Sequence, residues 1–170
     1  MSFLKFNTEQ LVGRFEDRRD VKNLAGKYVM SLLLKKEPTI LKELWSVRED
    51  ISLGVNGGYY AGRQALEGYY ASVDAATRQK AQVVKSVFPE DLGEYSDEKL
   101  YGRGPMEIRS LDNAIIEVAD DGKSARGSFI TPGVIFCRLN RHEYPYCNVL
   151  WERYGSDFVL EHGRWLYLHE

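Results

Sequence analysis

An α+β domain is expected from this sequence of 170 residues, with helices first along the chain and an antiparallel sheet after them. Apolar residues recur at helical spacing in the first half and alternate with a period of two in the second half. Two turn signals, Asp120-Asp121-Gly122 and Glu161-His162-Gly163, divide the second half into hairpins. Helices that are segregated from a long antiparallel meander are typical of this class.

The helical half begins at Asn7, which forms a candidate capping box with Gln10. Asp20 is a second candidate cap, and the clearest helical face follows it because its apolar residues share one side of a helix. Those residues are Val21, Leu24, Ala25, Tyr28, Val29 and Leu32. Pro38 is expected in the first turn of a short helix. Gly62 opens a further helix, which we expect to continue through Lys85.

Strand and loop signals occupy the remaining segments. Ile51–Val55 is predicted as a strand that turns at Asn56-Gly57-Gly58. Pro89–Pro105 has no periodicity and is predicted as a loop. In the first long hairpin, Glu117 is expected directly opposite Arg126, where opposite charges favour that register.

The late strands carry aromatic residues on both faces, since Trp151, Trp165 and Tyr167 alternate with leucines. A sheet exposed to water on one side would show cleaner polar alternation. We therefore expect helices to cover one face and a second copy of the chain to cover the other.

Composition excludes several classes of partner. Lys and Arg number 23 against 25 Asp and Glu, so no basic excess favours nucleic acid or an anionic membrane surface. The longest apolar stretches are far shorter than the roughly 20 residues of a membrane helix, and no signal peptide is recognisable. We expect one domain over residues 1–170, a cytoplasmic location, and two reduced cysteines, Cys137 and Cys147, in or near strands.

Four segments in this order resemble the SnoaL-like branch of the nuclear transport factor 2-like superfamily. They are NLAGKYVM, YYAGRQALEGYY, IIEVADDGKSARGSF and VLWERYGSDFVLEHGRWLYLH. The resemblance spans nearly the whole chain. It implies a cone-shaped α+β barrel, in which a curved, mainly antiparallel sheet wraps helices around an apolar pocket. It also implies a homodimer that pairs through the outer face of the sheet.

The resemblance also implies candidate catalytic positions. In dehydratase-like members a tyrosine on the early helix polarises the substrate while an Asp-His pair moves the proton. Tyr28 matches that tyrosine, whereas the helix after it lacks the aspartate and Arg109 stands where the histidine often lies.

Tyr28 and Arg109 are therefore the candidate catalytic residues. In an apolar pocket a phenol and a guanidinium can polarise a carbonyl group or bind a carboxylate. Because Arg109 stays protonated, a nearby carboxylate would have to act as the base, and Glu107 shares its strand face. The alternative is that Glu107 and Arg109 form a structural ion pair and that Tyr28 packs in the core.

The remaining residues add candidate binding groups without a cofactor. The three histidines lack metal-ligand spacing, and the glycines near Gly102 do not complete a phosphate-binding motif, so neither a metal nor another cofactor is expected. His142 could fold over the pocket mouth. The surplus of aromatic residues indicates that Trp45, Tyr60 and Trp151 line a cavity or an interface, although core packing is the alternative for each.

These observations predict a protein that binds a small hydrophobic molecule, with lyase, isomerase or cyclase activity on a hydroxy- or keto-compound. The alternative is a ligand-binding or structural dimer that has lost the Asp-His pair. A third interpretation is a subunit that docks onto a larger enzyme.

Overall fold

The computed structural model describes residues 6–96, 100, 106–137 and 146–170. Four helices and seven strands lie entirely within these residues, and they follow one another as the sequence predicts, with the first helices early and the long strands last. The helices are α1 (Thr8–Leu33), α2 (Glu37–Leu44), α3 (Arg63–Val87) and α4 (Pro89–Leu92). The strands are β1 (Ser52–Val55), β2 (Gly58–Ala61), β3 (Met106–Arg109), β4 (Asp112–Val118), β5 (Ser124–Cys137), β6 (Tyr146–Glu161) and β7 (Arg164–His169).

Helix α1 begins at the predicted capping box. Asn7 accepts from the backbone N–H of Gln10 at 2.9 Å, and the Gln10 side chain accepts from the backbone N–H of Asn7. The prediction that Asp20 caps a second helix is wrong, because α1 runs through it without a break. The predicted apolar face is confirmed, with Val21, Leu24, Ala25, Tyr28 and Val29 buried. One long helix therefore lays a single apolar stripe on the sheet.

The middle of the chain follows the predicted turn chemistry. Pro38 lies in the first turn of α2. Asn56 and Gly57 both have positive φ, 50° and 79°, as a two-residue hairpin turn requires. Gly62 caps α3 with φ 80°, a conformation that other residues rarely adopt. Helix α3 is one continuous helix that extends to Val87.

Two predictions about irregular segments need correction. Pro89–Leu92 forms the one-turn helix α4 rather than loop, since proline is well suited to a first helical turn. The remainder of the predicted loop lies partly outside the described residues. The strand expected from Met106 onward breaks at Ser110 and Leu111, and Asn113 has φ 47° where the register with β5 shifts.

The seven strands form one mixed, mostly antiparallel sheet in the order β2-β1-β7-β6-β5-β3, with β4 also paired to β5. The long hairpin of β5 and β6 pairs from Ser124 with Val159 to Cys137 with Tyr146. Glu117 lies opposite Arg126, as predicted. Strands β1 and β7 meet in parallel at Ser52 and His169, which brings the end of β7 beside the first hairpin.

The core fills the space between α1, α2, α3 and the inner face of the sheet. Its largest fully buried side chains include Trp45, Phe129 and Phe158. The outer face of the long strands instead exposes apolar side chains to solvent. These are Ile108, Ile115, Ile130, Phe136, Val149 and Trp151. The one described cysteine side chain, that of Cys147, is a free thiol that is exposed on β6.

Candidate active site

A cavity of about 490 Å³ opens between the C-terminal half of α1, the middle of α3 and the inner face of the sheet. Apolar side chains of Leu32, Leu53, Val55 and Val73 form part of its wall. Its polar lining residues are Tyr28, Lys35, Glu37, Asn56, Tyr69, Thr77, Lys80, Glu107, Arg109, Glu152, Arg153, Tyr154 and Glu170. We call the end around buried Tyr28 the floor, and the end where exposed Asn56 and Lys80 lie the mouth.

Glu170 supplies a carboxyl group to the floor. The residue directly follows β7, and its backbone is fixed to β1: its N–H donates to Ser52 at 3.0 Å, and its carbonyl accepts from Gly54 at 2.5 Å. Burial raises the pKa of this carboxyl group to about 8, although hydrogen bonding by Tyr28 and the positive charge of Arg109 oppose the rise. Both protonation states are therefore accessible near neutral pH.

A chain of hydroxyl groups leads from the core to this carboxyl group. The indole N–H of Trp45 donates to the Tyr70 hydroxyl at 3.1 Å. The Tyr70 hydroxyl donates to that of Tyr28 over 3.5 Å, a long contact, and Tyr28 donates to Glu170. Burial, with the nearby charge of Glu170, raises the pKa of Tyr28 well above 10, so this phenol stays protonated and remains a donor.

Arg109 lies between two carboxylates on the inner face of the sheet. One guanidinium nitrogen, Nη2, is 2.6 Å from Glu107 Oε1 and 3.2 Å from Glu152 Oε1. The Nε atom is 3.0 Å from Glu152 Oε2. Tyr154 also donates to Glu152 Oε2, at 3.0 Å. Burial lowers the pKa of Arg109, but the surrounding tyrosines and carboxylates outweigh it and the net shift is upward.

Two buried polar atoms of the site lack a well-aligned hydrogen-bond partner in the described part of the chain. They are Arg109 Nε, whose contact with Glu152 is electrostatic but poorly aligned, and Glu170 Oε2. Thr131 Oγ1, which lies opposite Glu152 in the sheet, is a third such atom nearby. Buried polar atoms are almost always hydrogen-bonded, so these atoms mark where a ligand or water could bind.

The structure brings together three of the residues that the sequence singled out. Tyr28, Glu107 and Arg109 all line the cavity. Glu107 and Arg109 do form the ion pair that the alternative interpretation expects, and Tyr28 does pack against Tyr154 and Tyr167. Both arrangements occur in the wall of the cavity rather than in a closed core. Because Glu107 and Glu152 already neutralise Arg109, this guanidinium is poorly placed to bind a further carboxylate.

Three other candidates lie outside the cavity lining. Trp45 is buried behind the cavity, where it packs on Tyr167 and donates to Tyr70. Tyr60 packs against Tyr69, a lining residue, with the ring centroids 4.9 Å apart and the ring planes tilted by 48°. Trp151 is 73% exposed, because Glu152 faces inward and neighbouring residues of a strand point to opposite faces. The prediction for His142 falls outside the described residues.

Sequence reasoning missed Glu152 and Glu170. Alternation along β6 could have found Glu152, which shares the inward face with Tyr154 and Phe158. No local signal marks Glu170, since its position depends on the parallel contact of β7 with β1. Among the described residues no cluster of histidine, cysteine or acidic side chains could hold a metal ion. Within the same residues, the helices are too short or too polar to cross a membrane.

Comparison with known proteins identifies the fold. No protein-family model matches the chain, and no curated protein matches it. Solved structures do match over most of their length, at low sequence identity. A nuclear transport factor 2-like superfamily protein from Salmonella enterica serovar Typhimurium is 16% identical, with 92% of this chain and 89% of that chain covered and a TM-score of 0.58.

Two enzyme-named structures are similar to the same extent. A hexachlorocyclohexane dehydrochlorinase is 13% identical over 93% of this chain and 84% of its own, with a TM-score of 0.59. A protein provisionally named a scytalone dehydratase, from Novosphingobium aromaticivorans, is 15% identical over 94% and 84%, with a TM-score of 0.59. These likenesses confirm the predicted fold, and at such identity they show the fold alone.

Proposed function

We propose that this chain, which has the nuclear transport factor 2-like fold, binds a hydrophobic hydroxy- or keto-compound and moves a proton on it with Glu170 as general acid and base. The observation that carries this proposal is a buried carboxyl group that lines the cavity, has one oxygen without a hydrogen-bond partner in the described part of the chain, and has a pKa of about 8. The reaction class is that of a lyase, isomerase or cyclase.

The pKa of Glu170 suits both directions of proton transfer. With a pKa of about 8, about a tenth of the carboxyl groups are ionised at pH 7. The ionised form can take a proton from a carbon next to a carbonyl group. The neutral form can return that proton to another carbon or give it to a departing hydroxyl group. A general acid or base works best when its pKa lies near the working pH.

Tyr28 and Arg109 would stabilise the charge that develops during this transfer. Tyr28 donates to the Glu170 carboxylate, which favours its ionised form. The N–H at Arg109 Nε, which is poorly aligned with Glu152, can donate to a substrate oxygen that becomes negative when the carbon loses its proton. Arg109 is held in place by Glu107 and Glu152, so it needs little reorganisation.

The walls of the cavity favour a ring compound. Leu32, Leu53 and Val73 provide apolar surface, and the rings of Tyr69 and Tyr154 provide flat contact area. A dehydrochlorinase and a protein provisionally named a dehydratase share the fold. These likenesses support a reaction in which proton removal leads to elimination.

The direct test is proton exchange. A panel of cyclic hydroxy-ketones is incubated with the protein in D₂O, and loss of the α-proton signal is followed by NMR. We expect exchange above background for at least one class of ketone, and none with Glu170→Gln. Exchange that persists unchanged in Glu170→Gln would remove Glu170 from the mechanism.

We also propose that the protein is a homodimer through the outer face of the sheet. The exposed residues Ile108 on β3 and Val149 on β6 lie on either side of Val134 of β5, and exposed Trp151 follows two residues after Val149 on the same face. A patch of this kind on a sheet face is typical of a protein interface. Such a dimer leaves the cavity, on the opposite face, open to ligand.

A further inference from the structure

The charges of the cavity differ between its floor and its mouth. At the floor, two carboxylates, Glu107 and Glu152, flank the single guanidinium of Arg109. Glu170 beside them is largely neutral at pH 7 and adds negative charge when it ionises. A negatively charged group of a ligand would therefore meet repulsion at the floor, whereas a neutral carbonyl or hydroxyl group would not.

Two lysines border the mouth, one in the turn after α1 and one on α3. Lys35 lies two residues after the end of α1 and is half-buried, and Lys80 lies on α3 and is exposed. Within the described residues, neither ammonium group has an ion pair. Glu37, two residues from Lys35, also lines the cavity, but it is buried and has an interaction of its own.

The backbone of Lys35 gives a second, independent reason to examine this position. Lys35 has φ 56°, the left-handed conformation that ends many helices and that glycine adopts without strain. Its neighbour Lys36 closes the helix with an N–H bond to the Ser31 carbonyl at 2.8 Å. A lysine here is less favourable than glycine, and strained residues that line a cavity point toward a role for the side chain.

We infer that the ligand carries a negatively charged group, such as a carboxylate, at the end opposite to the group that reaches Glu170, and that Lys35 and Lys80 bind this group at the mouth. The inference rests on the proposed function, because it assigns the substrate class of the same cavity. The ligand is then a two-ended molecule, neutral and oxygen-bearing at the floor and anionic at the mouth.

The test compares two probes that differ only in charge. The probes are 6-hydroxy-2-naphthoate and 6-hydroxy-2-naphthamide, and their affinities are measured by calorimetry at pH 7. We expect the naphthoate to bind about tenfold tighter, which corresponds to about 1.4 kcal/mol at 25 °C. This preference should shrink as salt is added, because the mouth is open to solvent.

Variants separate the two lysines from the overall charge of the protein. The double variant Lys35→Gly, Lys80→Gln should bind both probes equally, and Lys35→Gly alone should melt at the same temperature as the wild type or higher. The control Lys22→Gln, Lys27→Gln removes two exposed charges of α1 that do not line the cavity and should keep the preference.

Each remaining outcome decides against a stated claim. If the naphthamide binds as well as the naphthoate, the anionic substrate class is wrong while the proposed function stands. Loss of the preference in the control double variant would assign it to net charge and overturn the inference. If neither probe binds, the inference and the ligand-binding cavity fail together.

Discussion

Tyr28 on the first long helix lowers the pKa of Glu170, the residue after the last strand, by hydrogen bonding to its carboxyl group. The two residues are 142 positions apart in sequence. Burial raises the pKa of Glu170, while this hydrogen bond lowers it. Tyr28 therefore helps to set the pH at which Glu170 changes its charge.

Tyr28→Phe should move the pH dependence of proton exchange to higher pH. Without the donor, the pKa of Glu170 rises further above 8, so a higher pH is needed to ionise it. The measurement is the exchange rate from pH 6 to 10. Tyr70→Phe is the matched control, since it also removes one buried hydroxyl group but leaves the Tyr28 donor, and its profile should shift less. An unchanged profile in Tyr28→Phe would exclude Tyr28 from the mechanism.

Glu170→Gln should lower the exchange rate by about 10²- to 10⁴-fold, the usual contribution of a general acid or base. The amide keeps the size of the side chain, so the cavity should still bind the neutral naphthamide probe with an affinity within a few-fold of the wild type. Calorimetry measures this binding. Loss of binding together with activity would instead indicate that Glu170 maintains the shape of the cavity.

The free energy of unfolding should fall as pH rises from about 4.5 to about 8 and then level off. The folded protein holds the Glu170 proton up to about pH 8, whereas the unfolded chain releases it near 4.5, so the folded state binds more protons in this range. Urea unfolding at pH 5, 6.5, 8 and 9 measures the effect. The same series on Glu170→Gln should have a shallower slope, and equal slopes would argue against a raised pKa.

Gly133→Ala should destabilise the protein and displace Arg109. A Cβ atom at Gly133 would lie 2.8 Å from the Ile108 carbonyl oxygen and 3.2 Å from Arg109 Cγ, so the backbone of β3 would have to shift. We expect a loss of about 1–3 kcal/mol. Gly155→Ala is the control, because a Cβ there meets no atom within 4 Å. Thermal unfolding of both variants decides the matter, and equal stability would contradict the close packing around Arg109.

Trp151→Asp should convert the proposed dimer into a monomer. The exposed indole lies at the centre of the apolar outer face, where a charge would be buried without a partner. Sedimentation or light scattering measures the mass. Phe15→Asp is the control, since Phe15 is also exposed but lies on α1, away from the sheet. A wild type that is monomeric at high concentration would end this proposal.

The order of elements could be predicted from local patterns because each depends on neighbouring residues. The capping box at Asn7, the turn at Asn56-Gly57 and the pairing of Glu117 with Arg126 all follow from short-range chemistry. The error at Asp20 has the same origin. A capping residue favours a helix start only where the chain is free to turn, and packing of α1 on the sheet keeps it straight.

The site could be predicted only in part. Tyr28, Glu107 and Arg109 followed from a helical face and a strand alternation, and they do line the cavity. Glu170 could not be found in this way, because the contact of β7 with β1 joins residues 117 positions apart. Its raised pKa depends on burial by several elements together, which no local pattern records.

The most direct test of the account is a carbon NMR titration of the Glu170 side chain, with the signal assigned by comparison with Glu170→Gln. A buried carboxyl group that serves as general acid and base should titrate with a pKa of about 8. A midpoint near the ordinary value of 4.5 would show a solvated carboxylate, and the proposed proton transfer would lose its central group.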